Sequence, residues 1–267
     1  MHLGNDRVIG AWESDGLIID PGPECCLETL LAGLEQEPRA LLLTHIHLDH
    51  AGAAGVLAAR YPDLKVYVHR IGAPHLVDPT KLLRSATRLY GDDMDRLWGE
   101  FLPVPEERIV ALDGGETIEG FRVLDTPGHA KHHLSFVNPD QGVAYVGDIG
   151  GARIAPSEIV LLPTPPPEID LEAWERSLDL IAEHKPERLR LTHFGEVGEA
   201  AAHLDLTRER MAIAAERSRP LDRDKFIDAI EHEITSGADE ETAARFRQAT
   251  PPQQLWLGLE RYWRRRT

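Results

Sequence analysis

The sequence predicts an α/β fold built from short apolar strands interleaved with helices. Three observations predict it. Apolar runs of about five residues recur at Gly16–Asp20, Ala40–Thr44, Lys65–His69, Val143–Val146 and Arg188–Thr192, each bounded by turn-forming or polar residues. Between them lie segments with leucines at helical spacing, such as Leu27, Leu30, Leu31 and Leu34. Several of the strands also run directly, or through one short turn, into a His or Asp, an arrangement in which a rigid sheet carries chemically active loops.

Taken in order, Val8 to Asp20 reads as two short strands around a turn at Ser14-Asp15-Gly16, closed by Pro21-Gly22-Pro23. Glu24–Leu34 reads as a helix. Ala40–Thr44 is a strand ending in a His-rich stretch, and a helix is expected from Ala51 to Arg60, stopping before Tyr61-Pro62. Lys65–His69 is the next strand; His69 at its end and His75 beyond it are expected to be satisfied or surface histidines. Asp78 to Phe101 is helical in pattern, with a break at Gly91-Asp92-Asp93. It is either a lid over a pocket or a packing element. Its Tyr90, Trp98 and Phe101 are candidate apolar walls for a substrate.

Arg108–Leu124 holds short strands around Gly114-Gly115, and Leu134–Val137 is followed by the turn Asn138–Gly142 and the strand Val143–Val146. Ile159–Pro167 is proline-rich and reads as a loop. Asp170 is placed to cap an amphipathic helix running to His184, and Arg188–Thr192 is the last strand. Glu196 to Thr267 is a further helical region, with apolar spacing in Arg208–Arg217 and Phe226–Ile234 and at Leu255, Leu259 and Tyr262. It serves either as a helical appendage or as a homodimer contact.

The chain has 267 residues, 42% of them hydrophobic, enough for one large domain or a domain with an appendage, and with no need of disulfides. Formal net charge is −16, from 45 acids against 29 bases, which disfavours nucleic acid or an anionic membrane as partner. The one basic run, Arg264-Arg265-Arg266, reads as a solvated tail. Cys25 and Cys26 are the only cysteines and are adjacent, so free thiols are expected. No signal-peptide pattern and no apolar run near the ~20 residues of a spanning helix is present, which makes the cytoplasm the default location. The expected partner is a small-molecule substrate.

The stretch Thr44-His45-Ile46-His47-Leu48-Asp49-His50 places three imidazoles and a carboxylate within six positions. Neutral imidazole nitrogens and carboxylate oxygens are the ligands of a zinc-like cation. Three more candidates sit just after strands: His129 in Thr126-Pro127-Gly128-His129, Asp148 in Gly147-Asp148, and His193. Five histidines and two carboxylates would serve two divalent ions sharing one bridging carboxylate, with positions left for water.

These motifs, in this order and at these separations over residues ~8 to ~200, resemble those of the metallo-β-lactamase superfamily, and within it the glyoxalase II-like hydrolases. The resemblance implies an αββα sandwich with a metal site at one edge of two sheets. It divides the chain into a catalytic domain over 1–200, with a helical insertion at about 72–105, and a helical extension over 201–267. It assigns His45, His47 and His129 to one ion, Asp49, His50 and His193 to the other, and Asp148 to both. Asp20 and His133 become supports behind the ligands, and His132 a structural or pocket-lining residue. The implied activity is hydrolysis: a hydroxide held between two ions attacks the acyl carbon of a thioester, lactone or related ester, with Asp49 orienting it. Zinc is the default metal, with iron or manganese as alternatives. A persulfide dioxygenase-like enzyme with a single iron is the alternative activity. The tail after Gly195 does not match a glutathione-recognising region.

Overall fold

The structure is a computed structural model and describes residues 1–266; Thr267, the last residue of the expected helical region, lies outside the described residues. Two sheets form the centre. The first has five strands in the order β1 (Trp12–Ser14), β2 (Leu17–Ile19), β3 (Ala40–Leu42), β4 (Lys65–His69) and β5 (Ile109–Leu112). In the second, β6 (Thr117–Ile118), β7 (Phe121–Asp125), β8 (Leu134–Asn138), β9 (Val143–Tyr145), β10 (Arg188–Leu191) and β11 (Gly195–Val197) are neighbours in sequence order.

Alternation along the strands decides the layers. Leu17 and Ile19 of β2 point into the space between the sheets, where Leu42, Phe121, Phe136 and Tyr145 fill the gap. Ile18, between them, faces the other way and packs with Leu41, Val66 and Leu57 under the helices Leu27–Gly33 and Ala54–Arg60. The outer face of the second sheet, through Leu189 and Leu191, buries Trp174 and Leu178 of the helix Leu171–Glu183. Asp170 caps that helix by accepting from the Ala173 amide. The result is the expected αββα sandwich.

The helix expected over Ala51–Arg60 is instead two pieces, Leu48–Ala51 and Ala54–Arg60. The Ala53 amide donates to Gly22 O rather than continuing the first helix, because the chain passes against the Pro21-Gly22-Pro23 turn there. The helices Ala200–Ser218, Arg223–Gly237, Glu240–Ala249 and Pro252–Arg264 bring Phe226, Phe246 and Trp256 into the same apolar cluster as Trp174 and Leu191. No helix among the described residues is long and apolar enough to cross a membrane.

Strand direction sets the position of the site. β2 and β3 are parallel, as are β9 and β10, and β7 runs in the same sense as β9 because β8 is antiparallel to both. The segments that follow β2, β3, β7, β9 and β10 therefore leave at one edge of the sandwich. They carry Asp20, His45 to His50, His129, Asp148 and His193.

Candidate metal centre

The seven ligand candidates converge at that edge in three overlapping groups: His45, His47 and His129; His45, His50 and Asp148; Asp49, His50 and His193. Within each group the ligand atoms lie within 4.8 Å of one another. His47 Nδ1 is 3.0 Å from His45 Nε2 and 2.9 Å from His129 Nε2. Donors about 2 Å from a tetrahedral cation lie roughly 3.3 Å from one another, so this spacing suits one cation. Asp148 stands between the groups. Its Oδ2 is 3.3 Å from His129 Nε2, and its Oδ1 is 3.3 Å from His50 Nε2 and 3.5 Å from His193 Nε2. Asp49 Oδ2 is 3.4 Å from His193 Nε2 and 3.8 Å from His50 Nε2.

Four histidines have Nδ1 tied down on the side away from the cluster. His129 Nδ1 lies 2.8 Å from Pro163 O, His193 Nδ1 2.6 Å from Val8 O, His50 Nδ1 2.8 Å from Asp20 Oδ2, and His45 Nδ1 3.1 Å from Thr44 Oγ1. An acceptor at Nδ1 puts the proton there and leaves the Nε2 lone pair facing the cluster, the tautomer a metal ligand needs. The Thr44 hydroxyl can accept from His45 because its own proton goes to Asp20 Oδ2, 2.6 Å away. Asp20 also accepts from the Thr44 amide at 2.7 Å and from Thr192 Oγ1 at 3.2 Å. One carboxylate thus joins the segments after β2, β3 and β10. His133 sits deeper, with Nδ1 2.9 Å from Thr126 Oγ1, directly beneath Gly147, where an added Cβ would come 2.7 Å from His133 Nε2. It braces the turn that presents Asp148.

The electrostatics favour a cation. Burial, then the neighbouring histidines, hold His45 and His47 well below the ordinary imidazole range, so both are neutral lone-pair donors. Burial also penalises a charged His50 and His193, but Asp148 and Asp49 outweigh it and raise both. Burial opposes ionisation of Asp148 as well, and His50, His129 and His193 overcome it, keeping the carboxyl well below its usual range. His50 Nε2 and Asp148 Oδ1 are buried without hydrogen-bond partners. Such orphaned groups call for an explanation, and a cation between them is one their donor chemistry fits.

The family model described as the metallo-beta-lactamase superfamily matches residues 12–193. The chain belongs to the metallo-β-lactamase superfamily. A metallo-beta-lactamase fold-containing protein of Sulfurisphaera tokodaii is 32% identical over 164 residues, covering 59% of this chain and 60% of that protein. The Haemophilus influenzae protein named hydroxyacylglutathione hydrolase GloC is 31% identical over 140 residues, 51% of this chain and 62% of its own. The chain thus matches about three fifths of the length of these relatives. Among solved structures, an archaeal superfamily protein from Sulfolobus tokodaii shares the fold, with a TM-score of 0.66 and 23% identity over 91% of this chain and 87% of that one. TTHA1623, solved in a di-iron-bound form, gives a TM-score of 0.55 and 28% identity over 74% of this chain and 94% of its own.

A cavity of about 510 Å³ opens beside this cluster and includes His47, Asp49, Asp148, His193 and Tyr90 in its lining. Burial, then the charges of Asp49 and Asp148, push the Tyr90 phenol above its ordinary range. The other two expected walls are placed differently from Tyr90. Phe101 packs into the apolar layer over the first sheet. Trp98 is buried edge-on against Tyr90 and stacked on His2, and it lines an adjoining cavity of about 550 Å³ that also reaches Asp49, Tyr90 and His193. Helical periodicity marks both residues as apolar-facing but does not say which apolar space they face. His69 is buried as well, its Nδ1 accepting from the Ile71 amide. The backbone acceptors Pro163 O and Val8 O have no sequence signature. Thr44 and Thr192 do have one, since each immediately precedes a ligand histidine at a strand end.

Proposed function

We propose that this protein is a dinuclear metal-dependent hydrolase that cleaves an acyl bond, of the thioester, lactone or ester class. The observation that carries this reading is Asp148, whose two oxygens face different histidines, His129 on one side and His50 with His193 on the other. A carboxylate so placed suits two ions sharing one ligand. His45, His47 and His129 would hold the first ion, Asp49, His50 and His193 the second. The relatives named hydroxyacylglutathione hydrolase, each about 30% identical, support an acyl substrate.

When bound, two divalent ions supply a water ionised near neutral pH and a Lewis acid for the acyl carbonyl. The chain's own residues do the rest. Asp49 uses Oδ2 toward His50 and His193, which leaves Oδ1 to orient the attacking water and accept its proton. The anchored Nδ1 atoms hold the imidazoles in place, so no reorganisation is needed as charge develops. A thiolate leaving group needs no protonation, so a thioester places the least demand on this site. Zinc is the metal best suited to hydrolysis without redox chemistry.

The test is a panel of thioesters, lactones, β-lactams and phosphodiesters assayed with protein of measured metal content. Turnover of the acyl substrates by protein holding two ions per chain supports the reading. One iron per chain, with oxygen uptake in the presence of a persulfide, would replace it with the dioxygenase alternative.

A further inference from the structure

The helix Thr80–Tyr90 is divided lengthwise. Leu82, Leu83, Ala86, Leu89 and Tyr90 form one stripe, and Lys81, Arg84 and Arg88 another. Such a helix ordinarily buries its apolar stripe, yet here Leu82, Leu83, Ala86, Leu89 and Tyr90 are only half-buried. Leu82, Ala86, Leu89 and Tyr90 instead line the 510 Å³ cavity that contains Asp49 and Asp148, with Lys81 and Arg88 of the other stripe also among its lining residues. Pro163, Pro165, Pro166 and Leu257 are also among its lining residues, and Leu257 is 39% exposed. Ile71, another lining residue, is 50% exposed. An apolar cleft of this size, continuous with the candidate metal centre, matches the volume of one small-molecule ligand.

We propose that the group seated in this cleft is an apolar acyl chain, so that the substrate is a medium-chain acyl thioester or ester whose carbonyl lies at the metal centre. This rests on the hydrolase reading above and names its substrate class.

The test has a binding arm and a turnover arm. Hexanoate, octanoate and decanoate, the products of such a reaction, are titrated calorimetrically into the metal-loaded protein. Affinity should rise about three- to fourfold per added methylene, with a negative heat-capacity change. Leu89→Ser and Leu257→Ser should each weaken decanoate at least about tenfold and lower the decanoyl-to-acetyl ratio of kcat/KM on thioesters. Circular dichroism checks that both variants are folded. Hydrolysis of acetyl and decanoyl thioesters with no chain-length dependence would overturn the acyl-chain inference and leave the hydrolase standing. Chain-length-dependent binding with no hydrolysis of any acyl substrate would support the cleft and overturn the hydrolase. If the two variants change the sedimentation coefficient and leave decanoate binding intact, the stripe is a contact between copies of the chain and the inference fails.

His132 supports a second inference on independent grounds. His132 is only 8% exposed, and its Nδ1 is sealed from solvent without a hydrogen-bond partner. Its ring lines the same cavity, edge-on to His47 with ring centres 5.8 Å apart. Nε2 is the one ring atom left to make a hydrogen bond. We infer that His132 Nε2–H donates to the acyl oxygen of the substrate as that oxygen gains negative charge. His132→Leu should lower kcat about 100-fold while metal content stays within twofold, and His132→Gln, which keeps an N–H donor, should recover a large part of the loss. Loss of metal in His132→Leu, or equal defects in the two variants, would overturn this role.

Discussion

His50 Nε2 and Asp148 Oδ1 face each other at 3.3 Å, both sealed from water and neither in a hydrogen bond. In a folded protein such a pair is costly unless something satisfies both atoms. A cation does so, accepting the histidine lone pair and the carboxylate charge together. The first prediction follows. Asp148→Asn removes the charge and one of the two oxygen ligands, so metal content should fall below two ions per chain and turnover should drop to background. Elemental analysis and a thioester assay on the same sample check it; full occupancy with full activity would contradict the bridging role.

Asp20 touches no ligand atom of the cluster, yet it receives His50 Nδ1, the Thr44 amide and the hydroxyls of Thr44 and Thr192. Asn in its place turns one acceptor oxygen into a donor facing donors. Metal affinity in Asp20→Asn should weaken by about 10–100-fold, read by competition with a chromogenic chelator. Unchanged affinity would mean that His50 is oriented by something else.

Gly128 has φ +145°, and a Cβ there would lie 2.4 Å from the Trp174 Cα. The clash is with backbone, which cannot rotate away. Gly128→Ala should therefore cost at least about 2 kcal/mol in a urea unfolding curve and displace His129, the next residue. A variant with native stability and native metal affinity would refute the tight fit between this turn and the Leu171–Glu183 helix.

Chelated protein should be most stable near neutral pH. Burial holds His45, His47, His129 and His133 below the ordinary imidazole value, so below about pH 6.5 the unfolded chain takes up protons that the folded one refuses, and stability falls. His50 and His193 are shifted upward despite burial, by Asp148 and Asp49. Their contribution is complete below about pH 6.5 and is lost as pH rises through their folded values. Melting temperature of the chelated form should thus decline on both the acid and alkaline sides. Bound metal replaces the protons on His50 and His193, so the alkaline decline should vanish in the loaded form. An identical alkaline decline with and without metal would contradict this.

The ligand positions are legible in the sequence because each follows an apolar run, and a short run that ends in His or Asp leaves little choice about where that residue emerges. His45, Asp148 and His193 are of this kind. The places of Trp98 and Phe101 are not: helical spacing separates apolar from polar faces, but only tertiary packing decides that Trp98 meets a cavity beside Asp49 and His193 while Phe101 turns into the core. The tail reads as a helical appendage or a homodimer contact because apolar spacing within its segments does not say what they cover. That Phe226, Phe246 and Trp256 complete the core over the second sheet depends on contacts far apart in sequence. The anchoring of His129 and His193 uses the backbone carbonyls of Pro163 and Val8, which any residue type could supply.

The most direct test of the central claim is the stoichiometry of zinc retained after chelated protein is reconstituted and desalted, measured by mass spectrometry of the element against protein concentration. The account predicts two ions per chain, falling when Asp148 is replaced by Asn. One ion per chain or none, or two ions held equally well by the Asp148 variant, would contradict it.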